Sequence, residues 1–393
     1  MCGLKTRTTF CREVFVIALL ASFAGVMTTI GYIVLALVVL LVMITIHEAG
    51  HYTFGKIFKF KINEFSIGFG KAIFKKKLKS GEDFSIRIIP LGGYCAFAGE
   101  DEDDTDPNAF NNKAPWKRLI VQFGGVLFNF LSAIIFAFIL LLAFGYDVPK
   151  VSEVNPNFQE AGVLQTNDII REIDDTRVDF VTGNTANKLL NSFYIDMTAE
   201  EKALGEAVNI EGKDYTKYTN LPLTIERDGV VSEVMVNFYI SEVTSDIGET
   251  STSIAVGFGT VPYQHTFGEA IARSVPLAAG FAWQVLVFLG QLFTGGIGLS
   301  DIGGPLTTIS TIADYSQQNI ANLFVFLPFI AANLAIFNLL PIPALDGSRM
   351  VFTTIEWIRG KPVNRKVEGQ IHFWGMVVLF ALVIFVDVYN LIF

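Results

Sequence analysis

Hydrophobic and polar positions alternate along this chain on the scale of whole segments. Gly31–Ile46 is apolar apart from Thr45, Leu119–Tyr146, Ser274–Ser300 and Ile320–Leu345 carry no charge, and Gln370–Phe393 carries only Asp387. About 20 such residues in a helix cross a roughly 30 Å hydrocarbon core, so the pattern predicts a polytopic α-helical membrane protein. The apolar character extends upstream of Gly31. A single helix from Val14 to Ile46 would be about 50 Å long at 1.5 Å per residue, too long for one crossing. Residues 1–28 are therefore set apart as an extra helix, an uncleaved signal-like anchor or a segment upstream of a start at Met27, the last two being preferred, and receive no function.

Between the runs, charge gives direction. Eight lysines fall between Lys56 and Lys79, and positive charge beside a short loop marks the cytoplasmic side. Residues 29–55 are then the first core helix, 56–115 a cytoplasmic-side β-hairpin with an acidic loop, 116–146 the second helix and 147–266 an extracytoplasmic soluble domain. Residues 319–347 are the third helix, 348–368 a cytoplasmic loop and 369–393 the fourth. Residues 267–318 are read as a membrane-surface or re-entrant region. A crossing at 268–297 would strand Arg349, Arg359, Lys361, Arg365 and Lys366 outside, against the positive-inside tendency, and Pro276 with the nearby glycines permits a bend. In the hairpin, Asn63–Gly70 and Asp83–Tyr94 read as strands in which Phe84, Ile86 and Ile88 alternate with Ser85 and Arg87. The hairpin either packs under the helices or offers an edge to an extended peptide, with Ile86, Arg87 and Ile88 as its contacts.

Composition agrees with a membrane setting: 393 residues, 51% hydrophobic, mean hydropathy +0.47 and 17% charged, against about a quarter charged in soluble proteins. The net charge of -9 offers no general attraction to nucleic acid. Cys2, Cys11 and Cys95 are too scattered for a disulfide framework or a cysteine metal site. The acidic run Glu100–Asp106 lacks the glycine and terminal glutamate of a calcium loop and is read as solvated.

Chemistry concentrates in Thr45-Ile46-His47-Glu48-Ala49-Gly50-His51-Tyr52. Histidines four apart on a helix share a face and can grip one Zn2+ ion, while the adjacent Glu48 can take a proton from water polarised by that metal. Ionisable groups at the edge of a hydrocarbon layer are costly and rarely lack a role. The third ligand is sought at Asp346, where Pro341 and Pro343 break the helix after Asn338 and leave a carboxylate at the depth of His47 and His51; His372 is the less favoured candidate. Asn129 is read as an interhelical hydrogen bond or a site residue, and Asn338 as a helix cap or a hold on substrate.

These motifs together resemble the bacterial site-2 proteases, the RseP/RasP-like intramembrane zinc metalloproteases. The resemblance rests on H-E-x-x-H, on Asn338-Leu339-Leu340-Pro341-Ile342-Pro343-Ala344-Leu345-Asp346-Gly347, and on Asn155–Ile170, which is similar to the core of a PDZ domain with Asn167 for its usual glycine. Phe65–Gly70, Ile89–Tyr94 and Gly303-Gly304-Pro305 look like further landmarks; Lys71 and Gly124-Gly125-Val126 depart from the usual pattern. The resemblance implies four core transmembrane helices, a membrane-associated β-hairpin and an extracytoplasmic PDZ (α+β) domain in a bacterial cytoplasmic membrane. It implies cleavage of pre-trimmed single-pass membrane substrates, such as anti-sigma factors or remnant signal peptides, near the cytoplasmic face of the lipid bilayer. His47, His51 and Asp346 would hold zinc, Glu48 would serve as base, and Asn129, Asn338 and Ile86–Ile88 would meet substrate. The alternatives are a PDZ scaffold with a non-catalytic metal, and a membrane-tethered H-E-x-x-H protease that takes a glutamate as its third ligand.

Overall fold

The structure, a computed structural model, describes residues 4–100, 104–146, 148–158, 163–178, 185–244, 250–295 and 302–392. The chain resolves into two compact units, Met1–Ala133 with Val285–Phe393, and Ile134–Gln284. In chain order the elements are α1 (Leu4–Ile57), β1 (Ile62–Lys77), β2 (Asp83–Phe97), α2 (Pro115–Ala143), β3 (Pro149–Val154), β4 (Ile169–Ile173), β5 (Thr176–Arg177), α3 (Ala186–Asp196), α4 (Ala199–Ala203), β6 (Glu206–Ile210), β7 (Lys213–Arg227), β8 (Val230–Thr244), β9 (Thr250–Val256), β10 (Phe258–Pro262), α5 (Phe267–Thr294), α6 (Pro305–Gln318), α7 (Ile320–Leu339), α8 (Asp346–Arg359) and α9 (Arg365–Ile392). Among the described residues, five helical segments are long and apolar enough to cross a membrane: Met27–Ile57, Pro115–Ala143, Phe267–Leu292, Ile320–Leu339 and Arg365–Asn390.

In the first unit, α1 runs 54 residues without interruption, about 80 Å at 1.5 Å per residue. No proline breaks it, so the boundary expected near residue 28 is not marked by a helix end. Where α1 stops, Phe60, Phe97 and Phe110 meet in a buried cluster with Ile62 and Val121, ring centroids 5.3–5.8 Å apart. That cluster pins the base of the β1–β2 sheet to α1 and α2. The two strands are longer than expected and bend back on themselves. Ile62–Ile67 pairs on one side with Gly93–Phe97 and on the other with Asp83–Ile86, and the far end of β1 returns to pair with Asp83–Arg87. The bend is made at Gly68 and Gly70, with φ of +87° and +82°, a region other residues enter only under strain.

The sheet is also clamped to α1 by charge. Glu82, 2% exposed, accepts from Lys56 Nζ at 2.8 Å, Tyr52 OH at 2.7 Å and Ser80 Oγ at 2.8 Å. Burial pushes the Glu82 carboxyl up, but the Lys56 ammonium and the two hydroxyls outweigh it and hold it at about 2. At the far end of this unit, Asp387 of α9 accepts from the Leu306 N–H at 3.4 Å and Thr307 Oγ1 at 3.5 Å. It thereby supplies the first turn of α6 with an acceptor; a side chain at Gly304 would collide with it.

The second unit is an antiparallel sheet in the order β10-β3-β4-β7-β8-β9, with β5 and β6 attached to β4 and β7. Leu221, Leu223 and Ile225 of β7 face Ile170, Ile173, Val236 and Phe238 in its core, all 2% exposed or less. β7 and β8 are joined at Asp228 and Gly229, both with positive φ, as a two-residue hairpin requires. Asn167 has φ +79°, the left-handed conformation expected of it in place of glycine. Gln159–Gly162 of the same motif lie outside the described residues, as do Asp101–Asp103 of the acidic run. The stretch Asp175–Asn220 contributes β5, α3, α4, β6 and the start of β7. Pro276 was expected to permit a bend, yet α5 is continuous through it.

Candidate metal centre

His47 and His51 stack on the last turns of α1 as their spacing requires, ring centroids 4.7 Å apart and planes at 85°. Their Nε2 atoms are 3.1 Å apart, and Asp346 Oδ2 lies 2.9 Å from the first and 3.2 Å from the second. His47, His51 and Asp346 form the one group of three or more metal-capable side chains found among the described residues. Each imidazole is oriented by its other nitrogen. His51 Nδ1 lies 2.8 Å from the Val121 carbonyl, an acceptor only, so it carries the proton and leaves Nε2 bare. His47 Nδ1 faces the Asn129 carboxamide at 3.1 Å, and Asn129 is fully buried. The amide nitrogen is the atom that faces the ring, and the Asn129 oxygen is buried without a partner; exchanging the two, which have the same shape, gives that oxygen the Nδ1 hydrogen and leaves His47 Nε2 bare. Neither imidazole then gives a hydrogen to Asp346 Oδ2, a buried oxygen that has no hydrogen-bond partner.

Three lone pairs converging without a donor are what a cation completes. Zinc–nitrogen and zinc–oxygen bonds of about 2.0–2.2 Å imply ligand separations of roughly 3.3–3.5 Å in a tetrahedron, a few tenths of an ångström above those seen here. Two nitrogens and one carboxylate suit zinc and not calcium, which takes six to eight oxygens at about 2.3–2.6 Å.

Local backbone chemistry puts these side chains together. The segment Leu340–Pro343 stops α7, and α8 restarts at Asp346 after Ala344, which has φ +83°. Gly347 is required beside the ligand, since a Cβ there would fall 2.3 Å from the Leu340 carbonyl oxygen. Across the site, a Cβ on Gly50 would fall 2.2 Å from the Gly124 carbonyl, and one on Gly125 would fall 2.5 Å from His51 Nε2. The Gly124-Gly125 departure noted above is thus where α2 touches α1 and the imidazoles. The only sequence signal for it was a glycine pair in one apolar helix opposite a glycine in another.

A cavity of about 270 Å³ opens on the centre, lined by His47, Glu48, Asn129, Leu334, Asn338 and Asp346, with Ile44 and Ala344. It brings together Glu48, the metal-capable group, Asn129 and Asn338. It does not include Ile86, Arg87 or Ile88. Their segment is an inner strand: Ile86 is paired with Ile67 on one side and Phe74 on the other, and Arg87 is engaged by Glu64 and the Gly70 carbonyl. The expectation that they offer a peptide-binding edge is corrected by that pairing. The edge beside Glu48 is Gly93–Phe97, where Gly93 approaches the Glu48 side chain and the Cys95 N–H faces its carboxylate. His372 is away from the metal-capable group, with Nδ1 accepting from the Ala344 N–H at 3.2 Å, and it supports the loop that carries Asp346.

A helix-borne pair of histidines with a neighbouring glutamate, closed by an aspartate from a second helix within a set of long apolar helices, defines a zinc metalloprotease of the membrane-embedded kind. The particular lineage follows from comparison with known proteins: the family model of peptidase family M50 matches residues 35–382, and the chain belongs to that family. Relatives bearing the name "Putative zinc metalloprotease" include one from Clostridium perfringens, 27% identical over 92% of this chain and 99% of its own length. One from Nostoc sp. is 30% identical over 90% of this chain and 94% of its own, and one from Helicobacter pylori is 30% identical over 81% and 87%.

Proposed function

We propose that this metalloprotease cleaves a peptide bond in or next to the transmembrane helix of pre-trimmed single-pass membrane proteins, a class that includes anti-sigma factors and remnant signal peptides. The observation that carries the reading is the depth of the centre. His47, Glu48 and His51 lie within an apolar helix, six to ten residues before its Ile57 end, and Asp346 meets them at that depth, so a substrate must reach them inside or at the edge of the bilayer.

When bound, zinc supplies Lewis acidity to the attacking water and the scissile carbonyl. His47, His51 and Asp346 hold it. Glu48 accepts the proton of the attacking water and returns it to the leaving amine nitrogen, the task of a base within reach of both. Asn129 fixes His47. Substrate must arrive unwound, because helical carbonyls are already hydrogen-bonded. The Gly93–Phe97 edge can take up the released backbone groups and lay the extended chain across Glu48, with Asn338 holding it from the opposite wall.

Helix direction supports a particular topology. His51 contacts Val121 and His47 contacts Asn129, so α1 and α2 run antiparallel, while α1 and α7 both present the centre near their C-terminal ends. The chain between α2 and α7 must then leave and re-enter on one face. This favours four core crossings, with α5 lying along or dipping into the outer face of a bacterial cytoplasmic membrane. The lysine-rich sheet is assigned to the cytoplasmic side and the second unit, read as a PDZ domain, to the outside, where it would admit only trimmed substrates.

The test is zinc content alongside cleavage of a single-span substrate for wild type and Glu48→Gln in lipid. One zinc per chain in both, with cleavage lost in the variant, is the expected result. Two zinc-loaded proteins that cleave equally, or that never cleave, would overturn the assignment of Glu48 or the protease reading respectively.

A further inference from the structure

The β1–β2 sheet sorts its exposed residues by level along α1. The row Gly93, Ile67, Ile86 and Phe74 is set at the level of Glu48 by the approach of Gly93 to that side chain. The opposite end is set at the level of Lys56 by Glu82, eight residues and about 12 Å further along the helix axis. At and beyond the Glu48 row the exposed side chains are apolar apart from Lys71: Phe69 at 42%, Phe74 at 48%, Ile88 at 62%, Ile89 at 46% and Ile73 at 71%. At the Lys56 end they are basic. Lys76, Lys77 and Lys79 are exposed and make no ion pair among the described residues. The acids that could neutralise them are committed, Glu82 to Lys56, Asp83 to Lys75 and Glu64 to Arg87.

We propose that Lys76, Lys77 and Lys79 bind the headgroups of anionic phospholipids while the apolar end of the same sheet sits in the hydrocarbon, so that acidic lipid holds the Gly93–Phe97 edge in place over Glu48. The inference rests on the membrane orientation given under the proposed function. An apolar zone bordered by a cationic row about 12 Å away, on one rigid sheet, matches the step from acyl chain to headgroup. An acidic peptide would complement the lysines but would leave the apolar zone unexplained. Lys71, at the apolar end, has a flexible stem long enough to carry its charge outward.

The test reconstitutes the full chain in phosphatidylcholine vesicles containing increasing phosphatidylglycerol. Spin-labelled lipids report the preference of the protein boundary for phosphatidylglycerol over phosphatidylcholine, and cleavage of a single-span substrate is followed in parallel. Wild type is expected to prefer phosphatidylglycerol and to cleave several-fold faster as its fraction rises. The triple variant Lys76→Gln, Lys77→Gln, Lys79→Gln is expected to lose most of that preference, about tenfold or more, and to show a flat lipid dependence. An unchanged preference in the variant overturns the inference. So does a variant that keeps its lipid preference but fails only on substrates with an acidic flank, which assigns the lysines to peptide. Lysine-dependent lipid preference without cleavage under any condition would leave this inference standing and remove the protease reading.

Discussion

Two carboxylates, one in each unit, show opposite ways of placing an acid's oxygens in a protein interior. Asp168, 1% exposed, is fully answered: Arg227 reaches it with two nitrogens at 2.7 and 2.6 Å, and the Gln165 N–H donates at 2.8 Å. Burial pushes its carboxyl up, but the Arg227 guanidinium and the backbone N–H hold it below the usual range. Asp346 faces His51, whose proton is held by the Val121 carbonyl, and His47, whose proton goes to Asn129 once that amide presents its oxygen, and Asp346 Oδ2 has no hydrogen-bond partner. The first arrangement is complete as protein. The second is complete only with a cation, because a buried acceptor without a partner is otherwise a net cost. Satisfaction, more than burial, separates a structural acid from a ligand.

Substitutions can break that contrast, beginning with the largest effect. Asp346→Asn and Gly125→Ala are both expected to abolish zinc retention in metal analysis after dialysis. The first removes the charged ligand; the second drives a methyl to within 2.5 Å of His51 Nε2. Either should cost more than the roughly 10–100-fold affinity loss typical of an outer partner. Lowering pH from 7 to 5 should come next: the zinc ligands take up protons and release metal, while the second unit keeps its fold. The sign for Asp168 is clear. A depressed carboxyl stabilises the folded state above its unfolded value of about 3.9 and loses that contribution only as pH falls through the folded value. Zinc content and the circular dichroism of the sheet should therefore separate between pH 7 and 5, and their simultaneous loss would count against the comparison. Asn129→Ala should weaken zinc by about 10–100-fold and leave the fold unchanged. Arg227→Met should do the reverse, lowering the melting temperature of the second unit by several degrees with zinc content unaltered.

The same contrast explains what could be read from the residues alone. The metal-capable group was legible because each part depends on short-range geometry. Four residues on a helix bring His47 over His51, and a double-proline break delivers Asp346. The turn at Asn167 was legible for the same reason. The sheet was not. Alternation in Phe84–Ile88 marks a strand but says nothing of how many neighbours it has, and the fold-back at Gly68 and Gly70 turned an expected edge into an inner strand. Nor could residue patterns anticipate that α5 continues through Pro276, since a proline removes one hydrogen bond and leaves neighbouring turns to decide whether the helix bends. Asp387 caps α6, a contact across 81 residues that no local pattern records.

The meeting of Gly50 with Gly124 also bears on how a substrate gets in. Backbone stands against backbone there with no room for a methyl group, and the Phe54 ring packs beside the contact, so that flank of the centre is closely filled. Opening it would mean separating two main chains and, with them, the imidazoles they carry. Under the proposed function, an incoming polypeptide would take the other flank, where the cavity is walled by Leu334 and Asn338 of α7. Under that reading, the traffic of substrate and the integrity of the metal grip would be kept on opposite flanks of the centre.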